Sequence, residues 1–224
     1  MTLEEIIEKL NSKKSADRKR GAKEIGKLKI VQLGDELYQR YLTEKLDKRT
    51  WETQCAMIQA LGIIDFKKVL YDIESIVRAN IPHDMITSVS GTTYVQLKRK
   101  SINDASPVLE LLEFGSVSVI QGALLALAID QMKPEENEIR KILTFCKDIN
   151  KHKDRIGYEY GLMDCRQYLA LACANWDIEL TKEFLNHCIN SASENNSFGK
   201  PVVNQNLIDI CQNSLKGKFS KGYL

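Results

Sequence analysis

The chain has few of the residues that interrupt helices, with four prolines and twelve glycines in 224 residues. That scarcity excludes collagen-like and Pro/Gly-rich low-complexity classes and makes long regular elements the expectation. A long hydrophobic run is also missing. The most apolar stretch, Val117 to Ile129, is interrupted by Gln121 and falls short of the roughly 20 residues a spanning helix needs. The first residues, MTLEEIIEKLNSKK, carry acid before any basic run and contain no apolar core of a signal peptide. Paired cysteine spacings are absent too. Cys55, Cys146, Cys165, Cys173, Cys188 and Cys211 are scattered through apolar helical stretches and read as reduced, buried small hydrophobes. These absences lead to the expectation of a cytoplasmic protein without membrane association.

The usual marks of chemistry are equally sparse. There are three histidines, His83, His152 and His187, and none has the spaced partners that a structural zinc site needs. His187 beside Cys188 looks like a ligand pair, but neighbours on a helix point about 100° apart, so a surface histidine next to a core cysteine is expected. No GxSxG elbow, no Walker-type phosphate loop and no GxGxxG occur. The reading is therefore of a non-enzymatic chain with no catalytic residues, no metal and no cofactor.

What is present is helical. The hydrophobic content is 43%, ample for a continuous core, and the 28% of charged residues are dominated by the helix formers Lys and Glu. Scored against a 3.6-residue period, the chain divides into twelve segments: 2–11, 16–29, 35–47, 50–64, 67–80, 93–102, 106–114, 116–131, 135–150, 156–175, 178–191 and 201–216. They pair into six helical hairpins. Thr2 and Thr50 offer helix starts, as do Pro134 and Pro201 in first-turn positions, while Gly62 and Gly115 fall near helix ends.

A spaced pattern recurs within the second helices of these hairpins. Arg18, Gly21, Ala22, Ile25 and Gly26 are followed 36 residues later by Gln54, Met57, Ile58, Leu61 and Gly62. The same spacing returns as Ile120, Ala123, Leu124, Leu127 and Ala128, and as Arg166, Leu169, Ala170, Cys173 and Ala174. Such positions share one helix face, and small residues there let a neighbouring hairpin approach closely. Because one hairpin cannot bury its apolar stripe alone, stacking into a solenoid is required.

On these residues, and most closely on KRGAKEIG and QALGIID, the chain resembles HEAT-repeat (armadillo-like) proteins over roughly residues 15–215. The resemblance implies an all-α, right-handed α-α superhelix of about six antiparallel pairs, read here as a single domain over 1–224. The third hairpin departs from the pattern, because PHDMITSVSGTT (82–93) reads as a flexible insert before a short basic helix.

The resemblance also implies that second helices line a concave binding surface. On the fifth hairpin that face would carry Tyr160, Asp164, Gln167, Leu171 and Asn175, offset from a core stripe of Leu162, Leu169, Ala170 and Cys173. Shifted by the repeat offset, it would carry Lys19, Lys23 and Lys27 on the first hairpin. Charge follows the same asymmetry. From Lys9 to Lys29 there are nine basic and two acidic residues, a local +7 that leaves −5 for the remainder of a chain with net charge +2.

The expected function is thus a protein-binding scaffold, adaptor or bacterial immunity-type module, taking a partner with an acidic patch on Lys19, Lys23, Lys27, Tyr160, Asp164 and Gln167. The alternative is nucleic-acid binding, in a chain related to the HEAT-like DNA alkylpurine glycosylases, with Asp164, Tyr160 and Trp176 as the matching constellation.

Overall fold

A computed structural model describes residues 1–157, 164–195 and 201–223. Along the chain run α1 (Leu3–Leu10), α2 (Ser15–Leu28), α3 (Gly34–Glu44), α4 (Trp51–Ile63), α5 (Leu70–Ala79), α6 (Met85–Lys98) and α7 (Ser106–Phe114). They are followed by α8 (Val117–Ile129), α9 (Glu136–Lys147), the single turn α10 (Lys153–Ile156), α11 (Arg166–Cys173), α12 (Ile178–Asn190) and α13 (Gln205–Ser214). A two-stranded antiparallel ribbon, β1 (Ser193–Asn195) with β2 (Pro201–Val203), joins α12 to α13.

The expected all-α architecture is what the chain adopts. Among the described residues, six antiparallel hairpins form a solenoid in which the second helices make one row, in the order α2, α4, α6, α8, α11 and α13. Each helix of the row lies against the next, packing is densest from α2 through α4 and α6 to α8, and the first helices sit outside the row. The linking hydrogen bonds reflect the repeat length. Tyr38 Oη donates to Asp72 Oδ2, 34 residues on, at 2.6 Å. Asn80 Nδ2 donates to the carbonyl of Phe114, again 34 residues on, at 3.0 Å.

Local chemistry explains where the helices begin and end. Thr2 and Glu5 form a reciprocal capping box at the start of α1, and Asp84 caps α6 by accepting from the Thr87 N–H at 2.7 Å. Three second helices stop in the same way. Lys29, Asp65 and Gln131 adopt left-handed φ values of 51°, 54° and 47°, and the next N–H in each case returns to the carbonyl of Ile25, Leu61 or Leu127 at 3.0 Å. These carbonyls belong to the aliphatic position of the repeated pattern, whose side chains are all 0% exposed. The repeat thus carries its own stop signal, although no glycine supplies it.

Small residues do let the row close up. A Cβ on Gly26 would meet Ala60 Cα at 3.3 Å, and one on Gly62 would meet Gln96 Oε1 at 2.5 Å. Among the described glycines the closest approach is between α6 and α8, where a Cβ on Gly122 would lie 1.9 Å from the carbonyl oxygen of Ser88.

The segment read as a flexible insert, 82–93, is instead mostly helix. Residues from Met85 onward form α6, and every residue from Thr87 to Leu97 is buried between α4 and α8. Its Ser, Thr and Gly residues signal a loop by composition, yet two of the hydroxyls find backbone partners across the row. Thr92 Oγ1 donates to the Gly122 carbonyl at 2.9 Å and Thr93 Oγ1 to the Ile58 carbonyl at 3.3 Å. Ser88, Gly91, Thr92, Val95 and Gln96 occupy the repeat positions, 34 residues after Gln54, Met57, Ile58, Leu61 and Gly62.

Two other boundaries also differ from expectation. The helix read as 201–216 starts at Gln205, because β-branched Val202 and Val203 pair into the ribbon and Asn204 caps the helix through the Leu207 N–H at 3.1 Å. The segment 156–175 is not continuous: Gly157 has φ +67° and the second helix of that hairpin starts at Arg166.

Candidate functional site: a basic cleft at the amino-terminal end

Helices α2 and α4 pack closely at Gly26 and Ala60, and their first turns are joined by the hydrogen bond between Ser15 and Thr53. Between those turns lies a cleft of about 480 Å³, lined from α2 by Ser15, Ala16, Lys19, Arg20 and Lys23. Arg49, Thr50, Trp51, Glu52 and Thr53 line the opposite wall. The lining has four cations and one carboxylate, and Trp51 is 44% exposed beside them. An exposed indole next to such a cluster offers an apolar platform alongside positive charge.

Beside the cleft, Ser15 and Thr53 of its lining join a fixed polar network. Arg18 grips the buried Glu44 with two bonds, Nε to Oε2 at 2.6 Å and Nη2 to Oε1 at 2.8 Å. Ser15 Oγ donates to Glu44 Oε1 at 3.1 Å and lies 2.7 Å from Thr53 Oγ1. Burial pushes the Glu44 carboxyl up, but the hydrogen bonds from Arg18, Thr50 and Ser15 and the Arg18 charge outweigh it and hold the group below its ordinary value.

The rim is looser. Lys19 pairs with Glu52 across the cleft, with side chains 31% and 56% exposed. That hydrogen bond, the Lys19 charge and the more distant Lys23 charge lower the Glu52 carboxyl. Arg49 is folded back onto Asp47 at 2.8 Å. Among the described residues Lys23 has no ion-pair partner within 4.0 Å.

Of the residues singled out by sequence, Lys19 and Lys23 share this cleft. Lys27 is exposed one turn further along, outside the lining, with Glu24 at 3.8 Å. Tyr160 and Leu162 lie outside the described residues. Gln167 is half-buried on α11, four steps along the second-helix row from α2. At about 8–10 Å per packed helix, it does not join the lysines in one site.

Asp164 is not a groove residue. It is 4% exposed and is engaged by Arg166, whose Nε and Nη2 reach its two oxygens at 2.9 and 2.7 Å. Arg166 Nη1 continues to Ser191 Oγ at 2.9 Å, tying the start of α11 to the end of α12. Leu171, expected on the same open face, is fully buried. Trp176 is also buried, its indole N–H donating to the Met132 carbonyl at 2.7 Å. The glycosylase-like constellation therefore has its acid and its tryptophan committed to structural bonds.

The cysteines are buried thiols. Cys146, Cys165, Cys173, Cys188 and Cys211 converge in the last two hairpins, where burial pushes Cys146, Cys165 and Cys173 up. A hydrogen bond with Cys211, followed by burial, does the same to Cys188. Among the described residues no group of three His, Cys, Asp or Glu side chains is placed to hold a metal ion, and no helix is long and apolar enough to cross a membrane.

Arg20, Arg49, Trp51 and Glu52 escaped the sequence reading because three of the four come from the neighbouring hairpin. One signal was available: Trp51 lies 36 residues after Ser15, so the repeat offset puts both at the start of second helices that stack side by side. Compared with protein-family models, curated proteins and solved structures, the chain has no match.

Proposed function

We propose that this solenoid is a HEAT-like, non-enzymatic binding scaffold, an adaptor or immunity-type module of the cytoplasm, whose amino-terminal cleft receives an acidic segment of a partner protein. The observation that carries the reading is the convergence of Lys19, Arg20, Lys23 and Arg49 on one cleft beside the exposed Trp51. Such a patch steers acidic partners toward it and speeds encounter, most strongly at low salt.

A fluorescent hexaglutamate peptide, followed by anisotropy over a salt series, tests the reading. The expected result is binding that weakens as salt rises and is lost in Lys19→Glu/Lys23→Glu while helicity is retained. Binding that survives this double reversal overturns the assignment. The exposed Trp51 favours one second reading, since a nucleobase also stacks on an indole. Binding of a DNA duplex or single strand without binding of the peptide would move the conclusion to nucleic acid, with a steep negative salt slope as its signature.

A further inference from the structure

We infer that Glu52 is a built-in stand-in for the partner's carboxylate, occupying Lys19 in the free protein and giving it up when an acidic segment docks. The inference rests on the cleft being the binding site and adds how entry to it is controlled.

Among the described residues, two ion pairs bridge α2 to the neighbouring hairpin, and they differ in kind. Arg18–Glu44 is bidentate, with Glu44 only 3% exposed at its side chain, and it has no freedom to exchange. Lys19–Glu52 lines the cleft itself, joining α2 to α4 through two flexible side chains that are both in contact with water. Exposed pairs of this type are weakly held. An arriving carboxylate meets the same ammonium that Glu52 now engages, and Glu52 is free to turn outward into solvent.

Lys23, one turn further along α2, lines the same cleft and has no ion-pair partner among the described residues. A ligand with a single carboxylate pairs with Lys23 but leaves Glu52 in place and is repelled by it. A segment with two or more carboxylates can take Lys23 and displace Glu52 from Lys19 together. Glu52 thus sets a threshold on the charge of the partner.

The experiment compares the wild-type chain with Glu52→Gln, with Lys19→Glu/Lys23→Glu, and with Glu24→Gln as a charge-matched control on α2. The probes are labelled hexaglutamate and labelled N-acetyl-glutamate amide at low salt. Removing an exposed charge pair is worth about 1.5-fold to 5-fold in affinity, so Glu52→Gln should bind hexaglutamate about 3-fold tighter, whereas Glu24→Gln should not. The single-carboxylate probe should gain more from Glu52→Gln than hexaglutamate does.

Loss of binding in the double reversal with no gain in Glu52→Gln leaves the cleft assignment standing and overturns the role given to Glu52. An equal gain in Glu24→Gln also overturns it, because the effect is then one of net charge. Failure of both the wild-type chain and Glu52→Gln to bind the peptide removes the cleft reading, and this inference with it. Tightening toward a DNA duplex alone rejects the acidic segment as occupant. Because Glu52 and Glu24 are surface side chains, circular dichroism should be unchanged in both single variants.

Discussion

Replacing Gly122 by Ala should be among the most damaging single-methyl additions available in this chain. The new Cβ would lie 1.9 Å from the Ser88 carbonyl oxygen, 2.8 Å from the Thr92 nitrogen and 3.0 Å from Gly91 Cα. A close C–H···O contact needs roughly 3.3 Å, so α6 and α8 must part by more than an ångström. The atoms in the way are backbone and cannot rotate aside. Overpacking of this kind costs about 1–3 kcal/mol, with rigid neighbours at the upper end.

Separation of the helices also strains the Thr92 Oγ1 bond to the Gly122 carbonyl, worth about 1 kcal/mol. Against these losses, Ala gains about 1 kcal/mol of helix propensity over Gly. The balance is a destabilisation of about 3 kcal/mol, or a fall in Tm of about 6–12 °C for a chain of this size. Urea denaturation followed by circular dichroism measures it, with Gly222→Ala as a control, since nothing lies within 4 Å of a Cβ there. A Gly122→Ala variant within about 0.5 kcal/mol of wild type, the usual range for an inert surface change, would show that α6 and α8 do not cross at these glycines.

Three further outcomes are expected. Leu61→Ala and Leu127→Ala, at fully buried and repeat-equivalent positions, should each cost about 2–5 kcal/mol in the same assay, and no loss at either would refute the shared register. A thiol reagent at pH 8 should modify the native chain slowly, beginning with Cys55, which is 9% exposed against 2% or less for the other five and has its thiol pushed up to about 12 by burial; several fast equivalents would refute the buried cluster. Glu44 is held below its ordinary 4.5 in the folded chain, so its contribution is present above the unfolded value and is lost as pH falls through the folded one. Wild type should therefore lose stability on acidification below about 4.5 more steeply than Glu44→Gln, and parallel acid profiles would count against the Arg18–Glu44 pair as described.

The amino-acid sequence by itself determined the all-α class, the pairing into six hairpins and the repeat register at Ile25, Leu61 and Leu127. These are written locally, in a 3.6-residue period and in residue size at fixed spacing, so they can be read without knowing what lies across the helix. Tertiary structure decided the rest. Helix α6 looked like a loop because Ser, Thr and Gly favour turns when water is the alternative partner, whereas between α4 and α8 the Thr92 and Thr93 hydroxyls meet carbonyls and Gly91 meets another glycine. Asp164 looked open because its helix face was counted without Arg166 folding over it. The lysines of α2 could be foreseen as a strip, but the cleft needed Arg49, Trp51 and Glu52 from the next hairpin. Side chains more than thirty residues apart become neighbours only when two hairpins stack, and no local pattern records which charges then face each other.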